Sequence, residues 1–157
     1  MNSRPEEKPL EAGATAAPSI RPMRDADLAP ALELWRNTNG VGVRSEDNIP
    51  TLSQFLARNP SSCFVLSDDQ TVVGTVLGAF DGRRGYINHL AVHPHYRKHG
   101  YGQALLDHAV QALRGEGVHK VFLFVFEDNQ EAITFYQHRG WNERGELKVF
   151  DLELAPV

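Results

Sequence analysis

The segment VHPHYRKHGYG, residues 92–102, concentrates residue types that could do chemistry. Its spacing is compatible with three kinds of site. The two cations could form a basic patch. The two glycines could let backbone amides close on a phosphate. The histidines have a His-x-His-x3-His spacing that could ligate a metal ion, and they are His93, His95 and His99.

A metal site is the less favoured of these interpretations. Pro94 stiffens the segment, and neither a cysteine nor a carboxylate lies nearby in the sequence. A phosphate-binding turn would also need the same stretch of backbone. We therefore predict that the protein holds no metal here.

The glycines favour a phosphate-binding turn, because Gly100 and Gly102 lie between an apolar segment and an amphipathic one. A helix that begins here leaves backbone N–H groups unpaired and carries partial positive charge at its first turn. Arg97 and Lys98 would add charge and donors. The pattern predicts a pyrophosphate site, and the alternative is an ordinary strand-to-helix turn with solvated cations.

The elements that must position this turn follow in the order β–α–α–β–β–β–α–β–α–β–β. A short strand at SIRPM precedes a helix capped by Asp25, and Pro50 suits the first turn of a second helix. Three strands joined by hairpin turns occupy CFVLSDDQTVVGTVLGAFDGRRGYINHLAV. Apolar residues at helical spacing predict the next helix, with a buried stripe of Leu105, Leu106, Ala109, Ala112 and Leu113.

The last third of the chain predicts a strand, a helix and a hairpin. HKVFLFVF is a near-continuous apolar run, typical of a strand covered on both faces. Asp128 and Glu131 have capping-box spacing for a helix that Gly140 would end. WNERGELKVFDLEL predicts the final hairpin. Residues 85–126 should form a right-handed crossover between parallel strands, and ligands bind at the carboxyl ends of such strands.

Length and composition limit the class of protein. The chain has 157 residues, 41% hydrophobic, with a net charge of −4, which argues against a bulk nucleic-acid footprint. We predict a flexible tail over residues 1–18 and one domain over 19–157. The single cysteine, Cys63, lies in a strand-like segment and reads as a core residue. We expect a cytoplasmic protein with no membrane segment and no secretory signal.

The turn and a second motif together resemble the GNAT superfamily of acyl-CoA-dependent N-acyltransferases. That family carries an Arg/Gln-x-x-Gly-x-Gly/Ala turn after its fourth strand, matched here by Arg97, Gly100 and Gly102. NQEAITFYQHRGW follows 26 residues after Gln103 and matches the family's Asn and Tyr helix. The resemblance is strongest over residues 85–141. It implies an α/β fold with a mixed, mostly antiparallel sheet, a central parallel strand pair and about four flanking helices.

The resemblance also implies acetyl-CoA as the acyl donor, with no metal. Backbone groups at the end of the fourth strand would pair with the pantetheine, and one N–H would polarise the thioester carbonyl. The turn amides would hold the pyrophosphate, and two residues of the later helix would complete the site. The cofactor-binding residues implied are Leu90, Ala91, Val92, Arg97, Lys98, His99, Gly100, Tyr101, Gly102, Gln103, Asn129 and Phe135.

Tyr136 matches the position at which the family has its general acid. Asn129 and Tyr136 are seven residues apart, about 10.5 Å along a helix and nearly on one face. A phenol stays protonated at neutral pH and could give its proton to the departing CoA thiolate. The alternative from the residues alone is that Tyr136 packs in the core beside Phe135.

The general base is open. Several family members place a Glu on the fourth or fifth strand, but the fifth is apolar here. Asn88 and His89 on the fourth strand are the candidates, acting through bound water. Strict alternation would let only one of them face the cleft. His89 could equally be a structural histidine, and Glu46 and Asp47 are third candidates.

The acceptor is the least readable feature. The family shapes its cleft with the first two helices and the last hairpin, so Arg44 could hold a carboxylate and Glu46 an amine. Other cleft candidates are Trp35, Val41 and Val43. We predict an N-acetyltransferase acting on a primary amine of a small molecule or peptide, or alternatively a non-catalytic acyl-CoA-binding regulatory module. The resemblance makes a homodimer the default assembly.

Overall fold

The computed structural model describes residues 16–156, which divide into two compact units with their boundary between Leu123 and Phe124. Each unit is described by itself. The tail predicted over residues 1–18 lies outside the described residues, apart from 16–18, which have no regular secondary structure. The single domain over residues 19–157 stays a prediction.

The first unit is built on a five-stranded sheet in the order β1-β2-β3-β4-β5 among the described residues. The first three pairings are antiparallel and β4–β5 is parallel, as predicted. The mixed sheet is therefore confirmed, along with the β4–α–β5 order at its centre. The strands are β1 Ser19–Pro22, β2 Cys63–Asp68, β3 Thr71–Phe80, β4 Gly85–Val92 and β5 Val121–Leu123.

The described residues form four α-helices, three in the first unit and one in the second, in agreement with the predicted order. Short 3-10 turns at Asp25–Asp27 and Pro94–Tyr96 precede two of them. The helices are α1 Leu28–Arg36, α2 Ile49–Arg58, α3 Tyr101–Gly115 and α4 Gln130–Gln137.

The start of α1 corrects the predicted cap. Asp27, rather than Asp25, accepts the backbone N–H of Arg24 at 2.8 Å and a two-pronged hydrogen bond from the Arg21 guanidinium. Burial opposes ionisation of Asp27, but these bonds outweigh it and lower its pKa. Asp27 is the cap because its carboxylate accepts hydrogen bonds from both the Arg21 side chain on β1 and the Arg24 backbone N–H. At α2 the prediction holds, with Asn48 capping and Pro50 in the first turn.

The stripe predicted for α3 is confirmed where it packs on β2, β3 and β4. Leu105, Leu106, Ala109 and Leu113 are buried, while Ala112 is half-buried. Gly117 has a left-handed φ of 88° just after the helix, as a C-terminal stop requires. This packing fixes α3 on the sheet and with it the turn at its N-terminus.

Two predictions for the last third of the chain are wrong. β5 spans three residues and all are half-buried, so the run HKVFLFVF is neither a long strand nor covered on both faces. No strand forms over residues 124–156. A turn does form, since Leu147 N–H donates to the Arg144 carbonyl at 3.1 Å. The flanks do not pair because an isolated two-stranded hairpin, without a third strand in its own unit, is marginally stable.

Candidate active site

The turn before α3 has the backbone of an anion cradle. Lys98 and Gly100 have left-handed φ angles of 64° and 80°. When successive residues alternate between right-handed and left-handed backbone conformations, their N–H groups point into one concavity. Gly100 is the N-cap of α3, so the amides of Tyr101 and Gly102 belong to the first turn, whose N–H groups have no partner inside the helix. A Cβ built on Gly100 would meet nothing within 4 Å, so the concavity is open.

The residues around the turn hold it against the sheet. The Tyr96 hydroxyl donates a short hydrogen bond to Asp68 on β2, which raises the pKa of Tyr96. Arg97 Nε donates to the Val92 carbonyl at 3.1 Å, so this cation folds back over the end of β4. An open cavity of about 630 Å³ borders the turn and is lined by Tyr96, His99 and Tyr101 among others. Gln103, the last residue expected at this site, lies in the first turn of α3.

The second half of β4 has an open edge. β4 pairs with β5 only from Gly85 to Ile87. Beyond Ile87, no strand of the described first unit lies opposite β4 on that side, while Ala91 and Val92 stay paired with β3 on the other. Leu90, Ala91 and Val92 therefore present backbone groups along a free edge, at the carboxyl end of the strand.

A β-bulge at His89 breaks the regular alternation of β4. Asn88 pairs with Leu77 and Ala91 with Thr75, so two residues of β4 face one of β3. His89 takes a left-handed φ of 47°, which is uncommon for a residue with a side chain. The expectation that strict alternation decides between Asn88 and His89 is therefore wrong at this point. The extra residue of the bulge interrupts the alternation of side chains between the two faces of the sheet.

Buried side chains hold the bulge in place. The Thr75 hydroxyl donates to the His89 carbonyl at 2.7 Å, and Trp35 Nε1 donates to the Thr75 oxygen at 2.8 Å. The Trp35 and His89 rings stack with centroids 4.1 Å apart and planes 16° apart. Trp35 and Thr75 are fully buried, so water cannot replace these bonds. Trp35 consequently does not line an acceptor cleft, contrary to expectation.

His89 also contacts the loop between α1 and α2. Its Nε2 lies 2.9 Å from Asp47 Oδ1, with both side chains largely buried. The other Asp47 oxygen accepts the Arg44 backbone N–H at 3.0 Å. Glu46 remains exposed. Asn88 is half-buried, and the structure assigns its side chain no hydrogen bond within residues 16–156. His89 and Asp47 are thus brought together, while Asn88 and Glu46 stand outside the pair.

The second unit carries the other expected residues on α4. Asn129 caps the helix, its Oδ1 accepting the Ala132 N–H at 3.1 Å; the predicted cap at Asp128 is one residue early. Tyr136 lies between Phe135 and Trp141, with ring centroids 5.1 Å and 5.6 Å away. Burial raises the pKa of Tyr136 to about 12. Phe135 is covered by the Arg139 guanidinium, 3.6 Å from its centroid.

The remaining histidines and the cysteine have ordinary surroundings. His93 accepts the His95 backbone N–H and packs edge-on against its ring. Among residues 16–156 no group of three or more metal-ligating side chains is found. Burial raises the pKa of Cys63 to about 12, so its thiol is protonated, as a core residue should be. Within the same residues, no helix has the length and apolar character needed to cross a membrane.

Sequence reasoning missed Thr75 and underrated Asp47. Thr75 sits in an apolar strand where a threonine gives no sign of a partner, and its partners are 14 and 40 residues away in the chain. Asp47 lies in a polar loop 42 residues from His89. The one available signal was a threonine at an otherwise apolar strand position, because buried hydroxyls need partners.

Comparisons with known proteins agree with this geometry. The family model described as the acetyltransferase (GNAT) family matches residues 29–141. An acetyltransferase from Yersinia pestis strain Pestoides F is 30% identical over 118 residues, which cover 75% of this chain and 83% of that protein. Ard1 from Thermoplasma volcanium has a TM-score of 0.70 at 25% identity, covering 80% of this chain and 82% of that chain.

A further solved structure supports the fold alone. The PaiA N-acetyltransferase from Thermoplasma acidophilum, in complex with coenzyme A, has a TM-score of 0.70 at 19% identity. The match covers 79% of this chain and 89% of that chain. Over the matched part of the chain, this protein therefore shares its fold with a protein that was solved in complex with coenzyme A.

Proposed function

The chain belongs to the GNAT acetyltransferase family, and we propose that it transfers the acetyl group of acetyl-CoA to a primary amine of a small molecule or peptide by direct attack. The observation that carries this proposal is the free edge of β4. Residues 90–92 lie beyond the last β5 pairing. Apart from the Val92 carbonyl, which accepts the Arg97 Nε–H, groups on this edge can receive an extended amide-bearing chain as a strand would. Pantetheine is such a chain.

The turn at Lys98–Gly102 fits the other end of the same ligand. A pyrophosphate needs closely spaced backbone donors and positive potential, and the left-handed Lys98 and Gly100 at the start of α3 supply both. A Cβ at Gly100 would meet no atom of the described residues within 4 Å, so the space beside the turn is open to a ligand. These residues would bind and orient acetyl-CoA, which supplies the activated acyl group.

Tyr136 is our general acid. Burial raises its pKa to about 12, so the phenol keeps its proton across the whole neutral range. A protonated hydroxyl in an apolar environment can donate to the thiolate sulfur as the acyl group leaves. Asn129 and Phe135 belong to the same helix and would contact the pantetheine. A buried phenol that keeps its proton favours an enzyme over a module that only binds acyl-CoA.

His89 is our general base. Imidazole has the intrinsic proton affinity for this role, and His89 adjoins the free edge of β4 that would hold the thioester. Asn88 would order a bridging water beside it. The amine must lose a proton before it can attack, and His89 would receive that proton directly or through the water.

The test is acetyl-CoA consumption over a panel of amino acids, polyamines, aminoglycosides and N-terminal peptides. We expect CoA release with at least one amine, lowered about 100-fold or more in kcat by Tyr136→Phe. Tyr86→Phe is the matched control, since among residues 16–156 the Tyr86 hydroxyl hydrogen-bonds only the exposed Asp81. CoA binding without turnover for any amine would instead support the regulatory module.

A turnover number unchanged by Tyr136→Phe would remove the general-acid assignment alone. Calorimetric titration with CoA distinguishes a wrong general-acid assignment from a loss of CoA binding, because binding does not require the phenol proton. We expect Tyr136→Phe to bind CoA with unchanged affinity.

A further inference from the structure

The pair formed by His89 and Asp47 joins two parts of the first unit that are distant in sequence. Asp47 lies in the loop between α1 and α2, and His89 lies in the β4 bulge 42 residues later. The Nε2–Oδ1 distance is 2.9 Å, and the two side chains are 15% and 10% exposed. At such burial, water competes weakly for the hydrogen bond, so the pair is a defined contact.

The ring of His89 has little freedom to turn away from Asp47. Trp35 covers one face of the imidazole at 4.1 Å. The Thr75 hydroxyl holds the backbone carbonyl of the same residue. With face and backbone fixed, the orientation of the ring edge depends on Asp47.

The carboxylate decides which ring nitrogen carries the proton. An ionised carboxylate only accepts hydrogen bonds, so Nε2 must be the N–H donor. In neutral imidazole the other nitrogen then keeps its lone pair. Within residues 16–156 the structure gives Nδ1 no hydrogen-bond partner. Asp47 is the weaker candidate for the base, because its two oxygens already accept hydrogen bonds from His89 Nε2 and from the Arg44 N–H.

We propose that Asp47 is a positioning residue, which holds His89 in the Nε2–H tautomer and thereby makes Nδ1 the atom that accepts the proton of the acceptor amine. This inference rests on the proposed function. In the step, an ammonium N–H bond breaks and an Nδ1–H bond forms, leaving a neutral amine and an imidazolium. The Asp47 carboxylate balances that imidazolium until the proton passes to solvent.

The α1–α2 loop thereby acquires a second role. The loop that we expect to border the acceptor cleft would also orient the base, because Asp47 is bonded both to the loop backbone at Arg44 and to His89 on β4. Displacement of the loop would release the imidazole edge. Correct seating of the loop and basicity at Nδ1 are therefore coupled.

The decisive variant is Asp47→Asn, because an amide offers one acceptor where the carboxylate offers two. The Arg44 backbone N–H can only donate, so we expect the oxygen of the amide to stay on it. The amide NH₂ then faces His89 and donates to it, so Nε2 of the ring must accept with its lone pair. The variant should therefore move the proton to Nδ1 and remove the base without removing the histidine.

The first measurement needs no activity. Long-range ¹H–¹⁵N NMR of the ¹⁵N-histidine-labelled protein distinguishes the two tautomers of the neutral ring. We expect His89 to be Nε2–H in the wild type and Nδ1–H in Asp47→Asn. A wild-type ring protonated on Nδ1 overturns the proposal even if the enzyme is active. The tautomer of His89 can be measured even if the protein transfers no acetyl group, so this result is separable from failure of the proposed function.

The second measurement uses the acceptor amine found in the panel. We expect kcat to fall about 100-fold in Asp47→Asn with an unchanged KM for acetyl-CoA, and to recover in part in Asp47→Glu. In a His89→Gln background, Asp47→Asn should cause no further loss. Asp25→Asn is the matched control, since the exposed Asp25 side chain hydrogen-bonds only Ser53 among the described residues. An additive loss in the double variant, or full activity in Asp47→Asn, contradicts the proposal.

Discussion

Gly100 and His89 both take a left-handed backbone conformation near the candidate site, and they do so by opposite means. At Gly100 the sequence supplies a residue without a side chain, and the space around it is open. At His89 a bulky residue has a similar left-handed backbone conformation inside the sheet, and contacts with Thr75, Trp35 and Asp47 hold it there. The turn exposes bare main chain for binding. The bulge uses a fixed side chain for chemistry, and its strain is offset by buried contacts.

The sharpest way to separate these two regions is Gly102→Glu. A carboxylate in the first turn of α3 favours the helix but occupies the concavity that a pyrophosphate needs. We expect CoA affinity, measured by calorimetry, to fall about 100-fold or more while the melting temperature stays level.

Gly102→Gln is the isosteric control for that experiment and should lose much less affinity, because it lacks the negative charge. Equal losses in the two variants would show that bulk, and not charge, closes the site.

Thr75→Val tests the bulge instead. The change keeps the shape but leaves the Trp35 N–H and the His89 carbonyl without their buried partner. We expect a loss of about 2 kcal/mol in the free energy of unfolding, measured by urea denaturation. Thr71→Val, at the exposed start of β3, should cost little. A fall in CoA affinity as large as that of Gly102→Glu would mean that the two regions are not independent.

Substitution by glycine compares His89 with Lys98, the non-glycine residue of the turn that also has a left-handed backbone. Lys98→Gly removes the left-handed penalty at an exposed turn, so the free energy of unfolding should change by less than about 1 kcal/mol. His89→Gly gains the same relief but loses the ring that stacks on Trp35, and should be less stable than Lys98→Gly by about 1 to 2 kcal/mol. Denaturation of both variants under one condition measures the difference. Equal stabilities would contradict the view that side chains hold the bulge.

The smallest effect should come from Gly100→Ala. A Cβ there meets no atom within 4 Å, so the cost is the backbone strain alone, about 1 kcal/mol. Thermal denaturation would detect it as a small decrease in melting temperature. A loss of several kcal/mol would show that the turn is tighter than its open surroundings indicate.

Local patterns predicted most of the first unit. The α3 stripe, the Pro50 start of α2 and the parallel β4–β5 pair follow from periodicity and cap chemistry, which a short window contains. The turn at Gly100 was readable for the same reason, because only glycine takes that backbone cheaply. The roles of Tyr136 and Asn129 were predicted from their match to a family motif, and they stay predictions.

The bulge could not be read from the sequence. His89 gives no local sign of a left-handed backbone, and the residues that hold it come from α1, β3 and the α1–α2 loop. Such contacts depend on how distant segments meet. The cap at Asp27 was missed similarly, because the preference over Asp25 comes from Arg21 on β1. The C-terminal hairpin was wrong for another reason, since its sequence pattern describes two strands but does not supply the third strand that would stabilise them.

The stacking of Trp35 on His89 also gives the protein an internal optical reporter. The chain has two tryptophans, so Trp141→Phe leaves Trp35 as the sole indole emitter. An imidazolium quenches a stacked indole more strongly than a neutral imidazole does, and the ring centroids are 4.1 Å apart. Emission intensity from that variant would therefore follow the charge of His89 in real time, with no added dye, while an amine and acetyl-CoA are mixed.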